Sequence, residues 1–408
     1  MQLQQALIVF AVAFIVAYAM VPVSKKLAVI LGAIDYPGNR RVNTSPVPRC
    51  GGIALYLGLC AGALTIVLGV RVFGWDLASL YVMSNVDYGV LFVGISTMFA
   101  VGLIDDIVQL KSLTKFAGQI VAAVIVACSG MTIGSVRLFG AAEYIMLGWA
   151  DIPLTAFYLV VFVNIVNLVD GLDGLASGLV AIVSASLLYM SLLRGAYVVA
   201  LLIVALIAVC LAFLRYNFFP ASIFMGDSGS HLLGLMVGIV SIGGVARAQG
   251  VITMIVPLVM AGVPVLDTLS AIVRRMRAGQ PVGKGDANHI HHRLMRSGLG
   301  QRKAVAILWT CTAVLAIAGA AVEYLSGFWR LVIGVALAVA VGVVILKFGL
   351  FKPVLKHHYD NSGKSGARMP LQNGSANTGA GKHSTAPAVH ASHASAAAPQ
   401  DADEGGSR

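Results

Sequence analysis

Four short stretches of this 408-residue chain gather the side chains that could do chemistry. In "GLIDDIVQLKSLTK" (102–115) two adjacent carboxylates, Asp105 and Asp106, are followed by Lys111 and Lys115. Adjacent carboxylates repel unless a divalent cation or a shared proton relieves them; the alternative is a solvated helix end. In "NIVNLVDGLDGLASG" (164–178), Asn164, Asn167 and Asp170 recur every three residues. That spacing puts them on one helical face. Asp173 follows, and the glycine after each aspartate lets the backbone turn tightly against a ligand. A calcium loop needs a denser array of oxygens, and a plain inter-helical turn is the competing explanation.

In "YNFFPASIFMGDSGSHLLG" (216–234), Asp227 and small residues open a helix. Amides at such a terminus suit phosphate, and the carboxylate suits a magnesium ion on phosphate oxygens; an ordinary N-cap would look the same. His231, one turn on, reads as a polar helix residue orienting the loop. In "GDANHIHHRLMRSG" (285–298), His289, His291 and His292 stand beside Arg293 and Arg296. Zinc ligation is one reading, but the arginines oppose a cation and favour an anionic substrate. Asp267, before Arg274 and Arg275, is either a reactant or the buried partner of a cation.

The elements that must position these residues are membrane helices. Of the chain, 58% is apolar and only 11% charged, which is too little polar surface for a soluble globule. Continuous apolar runs long enough to cross a bilayer predict an all-α polytopic protein of about eleven transmembrane helices. They fall near 3–23, 51–71, 88–104, 115–134, 152–169, 175–193, 196–214, 229–246, 251–273, 304–323 and 328–350. The first run continues into "VPVSKK" and reads as a retained helix rather than a cleaved signal.

Lysine and arginine concentrate in alternate loops, which predicts an external N-terminus and a cytoplasmic C-terminus, with all four stretches on the cytoplasmic face. The same rule accounts for the net charge of +11 without nucleic acid as a partner. Residues 1–352 form the expected membrane domain. Residues 353–408, poor in large apolar side chains, read as a disordered cytoplasmic tail. The five scattered cysteines show no disulfide or zinc spacing.

Carboxylates with a hard cation, flanked by basic groups at a bilayer surface, suit phosphoryl transfer between a lipid phosphate and a soluble nucleotide. A membrane carrier is the rival class, but carriers bind near mid-bilayer and usually carry internal repeats.

The motifs also resemble those of the polyprenyl-phosphate N-acetylhexosamine-1-phosphate transferases. "DYPGNRRVNTSPVPRCGG" (35–52), "GLIDD", "NIVNLVDGLDGLA", "FMGDSGS", "GVPVLDTLSAIVRR" (262–275) and "HIHHRL" (289–294) occur in the family's order. The resemblance implies an active site facing the cytoplasm in the inner membrane of a bacterium. There, a UDP-sugar is joined to undecaprenyl phosphate, UMP is released and a cell-envelope glycan begins, with Mg²⁺ as cofactor and Mn²⁺ as an alternative. By motif, Asp105 and Asp106 resemble the catalytic aspartate pair, Asp227 with Asn167 the metal ligands, and Lys115 the pyrophosphate contact. Asn217 and Phe224 fall where the family holds uracil, Asn164, Asp170 and Asp173 complete the substrate site, and His289, His291, His292 and Arg293 resemble a loop over the sugar phosphate. "HIHHRL" is similar to the UDP-N-acetylglucosamine branch, whereas the phospho-N-acetylmuramoyl-pentapeptide transferases usually show three consecutive histidines. The early loop departs from the usual Arg-Lys-x-His, reading Arg40-Arg41-Val42-Asn43. The sequence leaves a homodimer open.

Overall fold

A computed structural model describes residues 1–37, 45–76, 85–136, 145–244 and 299–322, with residues 273, 276, 279, 329 and 332 as isolated positions. Nine α-helices lie among the described residues: α1 (Leu3–Ile30), α2 (Gly52–Arg71), α3 (Tyr88–Val108), α4 (Ser112–Cys128), α5 (Asp151–Val169), α6 (Leu175–Leu193), α7 (Tyr197–Asn217), α8 (Gly226–Gly244) and α9 (Gln301–Val322). Two antiparallel pairs of very short strands join them, β1 (Ile34–Asp35) with β2 (Val47–Pro48) and β3 (Ser135–Val136) with β4 (Ile145–Met146).

Nine of the eleven expected spans overlap these helices, and the runs at 251–273 and 328–350 lie outside the described residues except at the isolated positions 273, 329 and 332. Seven of the described helices are long and apolar enough to cross a membrane. The chain is a multi-pass membrane protein. Two expected spans miss that standard for physical reasons. α4 starts at Ser112 and stops at Cys128, so the run expected to reach 134 is a 17-residue helix of about 26 Å at 1.5 Å per residue. α8 opens on polar residues and is buried from Ser228 to Gly244, so it meets other helices rather than lipid. α1 outruns its expected end and carries Lys25 and Lys26 inside its last turns.

α8 is the axis of the described bundle, packed on α2, α3, α5, α6 and α7. α1 packs on α2 and α7, α4 on α3 and α5, and α9 on α6. The close approaches run through glycine. A Cβ on Gly52 would lie 2.3 Å from the Gly229 nitrogen, and one on Gly102 would lie 2.5 Å from the Asp227 carbonyl oxygen. Small residues at such crossings let helix backbones meet where no hydrophobic effect drives them together. The outward faces carry large apolar side chains such as Leu7, Ile15, Leu64 and Phe92.

Candidate active site

The site lies where α3 ends, α4 begins, α5 ends and α8 begins. Asp87 caps α3 by accepting from the amides of Gly89 and Val90 at 2.8 and 3.1 Å, which is the usual role of an N-cap aspartate. One helix length later, the last two turns of α3 deliver Asp105 and Asp106. Gln109 then adopts a left-handed conformation that ends the helix, and α4 brings Lys115 back alongside.

Asp227 is the convergence point. Its Oδ2 accepts from Lys115 Nζ at 2.5 Å and its Oδ1 from Asn167 Nδ2 at 2.5 Å. Asn167 Nδ2 also donates to Ser230 Oγ at 2.9 Å. Lys115 Nζ reaches Asp105 Oδ2 at 3.3 Å, so a single ammonium stands between two carboxylates from different helices. Asp105 Oδ1 accepts from the Leu110 amide at 2.7 Å.

Asp106 has different surroundings from its neighbour. Its side chain is fully buried. Oδ1 accepts from the Asp227 amide at 2.7 Å and from Arg49 at 3.2 and 3.3 Å; Oδ2 accepts from the Ser228 amide at 3.0 Å and Ser228 Oγ at 2.5 Å. Burial alone would lower the Arg49 pKa, but Asp106 and Asp227 more than offset it and raise it above the ordinary value. Every lone-pair direction of the Asp106 carboxylate is thus taken by a donor of the protein itself. The two aspartates named together by motif thus stand in different surroundings, Asp105 against Lys115 and Asp106 against the start of α8.

The other expected site residues divide. Asn164 joins the cluster through Gln119, donating to its Oε1 at 2.8 Å. Asp170, just past α5, lies in the field of the cluster. Burial first, then the negative charges of Asp227, Asp106 and Asp173, push its carboxyl up to about 8, against the pull of Arg49. Asp173 instead accepts from the Ala221 amide at 2.9 Å.

Asn217 is buried, accepting from the Gly174 amide at 3.0 Å and donating to the Ile223 carbonyl at 2.9 Å. Its amide therefore ties the turn before α6 to the loop before α8. Phe224 is half-buried and its backbone pairs with Pro48 and Gly51, which ties the early loop to the entrance of α8. His289, His291, His292, Arg293, Asp267, Arg40, Arg41 and Asn43 lie outside the described residues.

Sequence reasoning passed over Arg49, Gln119, Ser228 and Ser230. Arg49 had a signal, as a cation in an otherwise short polar loop. Gln119 lacked one, because a glutamine inside an apolar run announces no partner.

Among the described residues no group of three or more His, Cys, Asp or Glu side chains is placed to hold a metal. Mg²⁺ does not need one: it takes one or two carboxylates and fills the rest of its shell with water and phosphate oxygens. Asp105 and Asp227 are hard oxygen donors that already share one cationic group, and that donor set fits such an ion. Asn167 presents its nitrogen to Asp227, so ligation through its oxygen requires the amide to turn over.

Residues 88–245 match the model of glycosyl transferase family 4, a stretch that includes every element of this cluster except Arg49. The chain is 34% identical over 364 residues to a probable undecaprenyl-phosphate N-acetylglucosaminyl 1-phosphate transferase of Bacillus subtilis, covering 87% of this chain and 98% of that protein. This chain belongs to the polyprenyl-phosphate N-acetylglucosamine-1-phosphate transferase family. It is an enzyme, a sugar-phosphate transferase. A decaprenyl-phosphate N-acetylglucosaminephosphotransferase of Mycolicibacterium smegmatis is 35% identical over 393 residues, covering 90% of this transferase and 92% of its own length. A phospho-N-acetylmuramoyl-pentapeptide-transferase of Desulforudis audaxviator is 30% identical over 301 residues, 69% of this transferase and 86% of its own length.

Proposed function

We propose that this transferase moves N-acetylglucosamine 1-phosphate from UDP-N-acetylglucosamine to undecaprenyl phosphate and releases UMP, at the cytoplasmic face of a bacterial inner membrane. The observation that carries the reading is the meeting of Asp227, Lys115, Asn167 and Asp105 at the start of α8, in a chain whose relatives are named as undecaprenyl- and decaprenyl-phosphate N-acetylglucosamine-phosphate transferases.

An oxygen of the lipid phosphate attacks the sugar-bearing phosphorus of the donor. The bond from that phosphorus to the UMP oxygen breaks, and UMP leaves with the electron pair. Asp105 is the group assigned to orient the lipid phosphate and take its proton, since Asp106 has its lone pairs occupied. Lys115 neutralises pyrophosphate oxygens as charge moves onto the leaving group. Asp227 with Asn167, and Asp105 beside them, would hold Mg²⁺, which supplies further neutralisation of phosphate charge. The "HIHHRL" loop is assigned to the sugar phosphate. Its one-plus-two histidine spacing, His289 then His291 and His292, supports N-acetylglucosamine over the muramoyl-pentapeptide donor.

The test is purified protein with undecaprenyl phosphate and Mg²⁺, offered UDP-N-acetylglucosamine, UDP-N-acetylmuramoyl-pentapeptide and other UDP-sugars in parallel. Lipid-linked product and UMP in equal amounts from UDP-N-acetylglucosamine are expected. Product from the pentapeptide donor alone, or solute flux in proteoliposomes without any turnover, overturns the reading.

A further inference from the structure

Directly beneath the site, the same three helices meet a second time. Lys115 and Gln119 are four residues apart on α4, Asn164 and Asn167 three apart on α5, and Asp227 and His231 four apart on α8, so each pair shares a helix face. The upper rung joins Lys115, Asn167 and Asp227. The lower rung joins Gln119, Asn164 and His231: Gln119 Nε2 lies 3.0 Å from His231 Nε2, and Asn164 Nδ2 lies 2.8 Å from Gln119 Oε1. Gln119 is 1% and His231 0% exposed.

The direction of every bond in the lower rung follows from one backbone carbonyl. Asn164 Nδ2 donates to Val160 O at 2.8 Å, which fixes the amide, because the flipped form would set oxygen against oxygen. The other proton of that nitrogen then faces Gln119 Oε1, which leaves Gln119 Nε2 toward the imidazole. Gln119 Nε2 has only protons to offer, so His231 Nε2 must accept and carries none. The remaining imidazole proton sits on Nδ1, which is buried and has no partner among the described residues.

A leucine rung would fill this space without burying an unpaired N–H, a cost that hydrogen bonding elsewhere does not cancel. What the polar rung adds is register, since the bonds tolerate only small sliding of α4 along α8 and of α5 along α4. We propose that Gln119 and His231 are positioning residues for sugar-phosphate transfer. Through the lower rung they hold α4 and α8 at the height where Lys115 meets Asp227, with His231 fixed as the Nδ1–H tautomer. The role in turnover rests on the function proposed above; the rung itself does not.

Two measurements test it. In protein with ¹⁵N-labelled histidine, the His231 signals, assigned by their loss in His231→Gln, are expected to show a protonated Nδ1 and a bare Nε2. A protonated Nε2 overturns the rung whether or not any transfer is observed. In kinetics with UDP-N-acetylglucosamine and undecaprenyl phosphate, His231→Leu is expected to lower kcat at least about tenfold while KM for the nucleotide stays within about threefold. His231→Gln, whose Oε1 can accept in place of Nε2, is expected to recover kcat to within about threefold of wild type. The paired variant Gln119→Leu/His231→Leu removes both partners of the Gln119–His231 bond and leaves Asn164 its bond to Val160 O; it is expected to be more thermally stable than His231→Leu alone without regaining kcat. Wild-type kcat in that pair, or His231→Gln no better than His231→Leu, reduces the rung to packing and overturns its role. Absence of transfer by the wild-type protein sinks the proposed function instead, and the tautomer measurement still decides the rung.

Discussion

The carboxylate of Asp106, on α3, accepts the backbone N–H of Asp227, the second residue of α8, at 2.7 Å. It takes the Ser228 amide and hydroxyl as well, and so satisfies donors at a helix start that ordinarily need a capping side chain from the preceding residue. That residue is Met225, whose side chain carries no oxygen, and Gly226 after it has no side chain at all. The cap is supplied by another helix, and it fixes Asp227 relative to Asp105 to within hydrogen-bond tolerance. Of two adjacent aspartates, one therefore builds the site and the other faces into it.

Asp106→Ala is expected to remove this cap and strand Arg49 opposite a cavity. Breaking a buried, hydrogen-bonded ion pair by deleting one partner costs about 3–5 kcal/mol. A clear fall in melting temperature and a collapse of kcat together are expected. Asp105→Asn, which has Lys115, the Leu110 amide and the Asp227 carboxylate beside it, is expected to lose turnover with a much smaller change in melting temperature. Thermal unfolding in detergent beside single-turnover rates separates the two; equal destabilisation by both substitutions would contradict the division of roles.

Gly226→Ala is expected to be as damaging as many polar substitutions. The glycine has φ +71°, and an added Cβ would lie 2.4 Å from Asp106 Oδ2. An L-residue in that conformation costs about 1–2 kcal/mol before any clash, and here the clash pushes the capping carboxylate away. Gly74→Ala, at φ +62° with open space around it, carries the backbone cost alone and is the control. Gly226→Ala should destabilise more and lose most turnover, while Gly74→Ala should leave kcat unchanged.

Lys115→Met is expected to lower kcat by about 10²–10³, the usual loss when one charged donor to a developing oxyanion is removed. The side chain is 20% exposed, so folding should survive. Because its ammonium bridges the two carboxylates assigned to Mg²⁺, the variant should saturate with Mg²⁺ at a concentration no higher than wild type. A variant rescued to wild-type kcat by excess Mg²⁺ would show that Lys115 merely neutralises the pair.

How legible this was in the sequence differs from residue to residue. Helix existence was plain, because lipid demands continuous apolar runs, and α2, α5 and α6 begin and end within a residue of the expected limits. The ends of α1 and α4 were not plain: α1 stays helical through Lys25 and Lys26, and α4 stops six residues before its apolar run does. Asp227, Lys115 and Asn167 were recognisable because polar groups at span ends stand out against an apolar background. The separation of Asp106 from Asp105 was invisible, since a step of one residue on a helix turns the side chain by about 100° and only the packed neighbour decides what it meets. Gln119 was invisible for the same reason.

Asp170 gives a pH signature whose sign can be worked out in advance. Burial and the charges of Asp227, Asp106 and Asp173 raise its carboxyl to about 8 in the folded protein, while an unfolded aspartate titrates near about 3.9. Between those values the folded state holds a proton that the unfolded chain has released, so stability falls as pH rises across that window. Asp170→Asn is neutral throughout and escapes this loss. The melting temperature of the variant minus that of wild type is therefore expected to be smallest near pH 4, to widen steadily toward pH 8, and to level off above it. Titrating groups remote from Asp170 are common to both proteins and cancel in the difference, which leaves Asp170 and the carboxylates it is coupled to, Asp227, Asp106 and Asp173. Thermal unfolding in detergent from pH 4.5 to 9 checks this, and a difference that is flat, or that narrows as pH rises, would show that Asp170 is ionised in the folded protein at neutral pH.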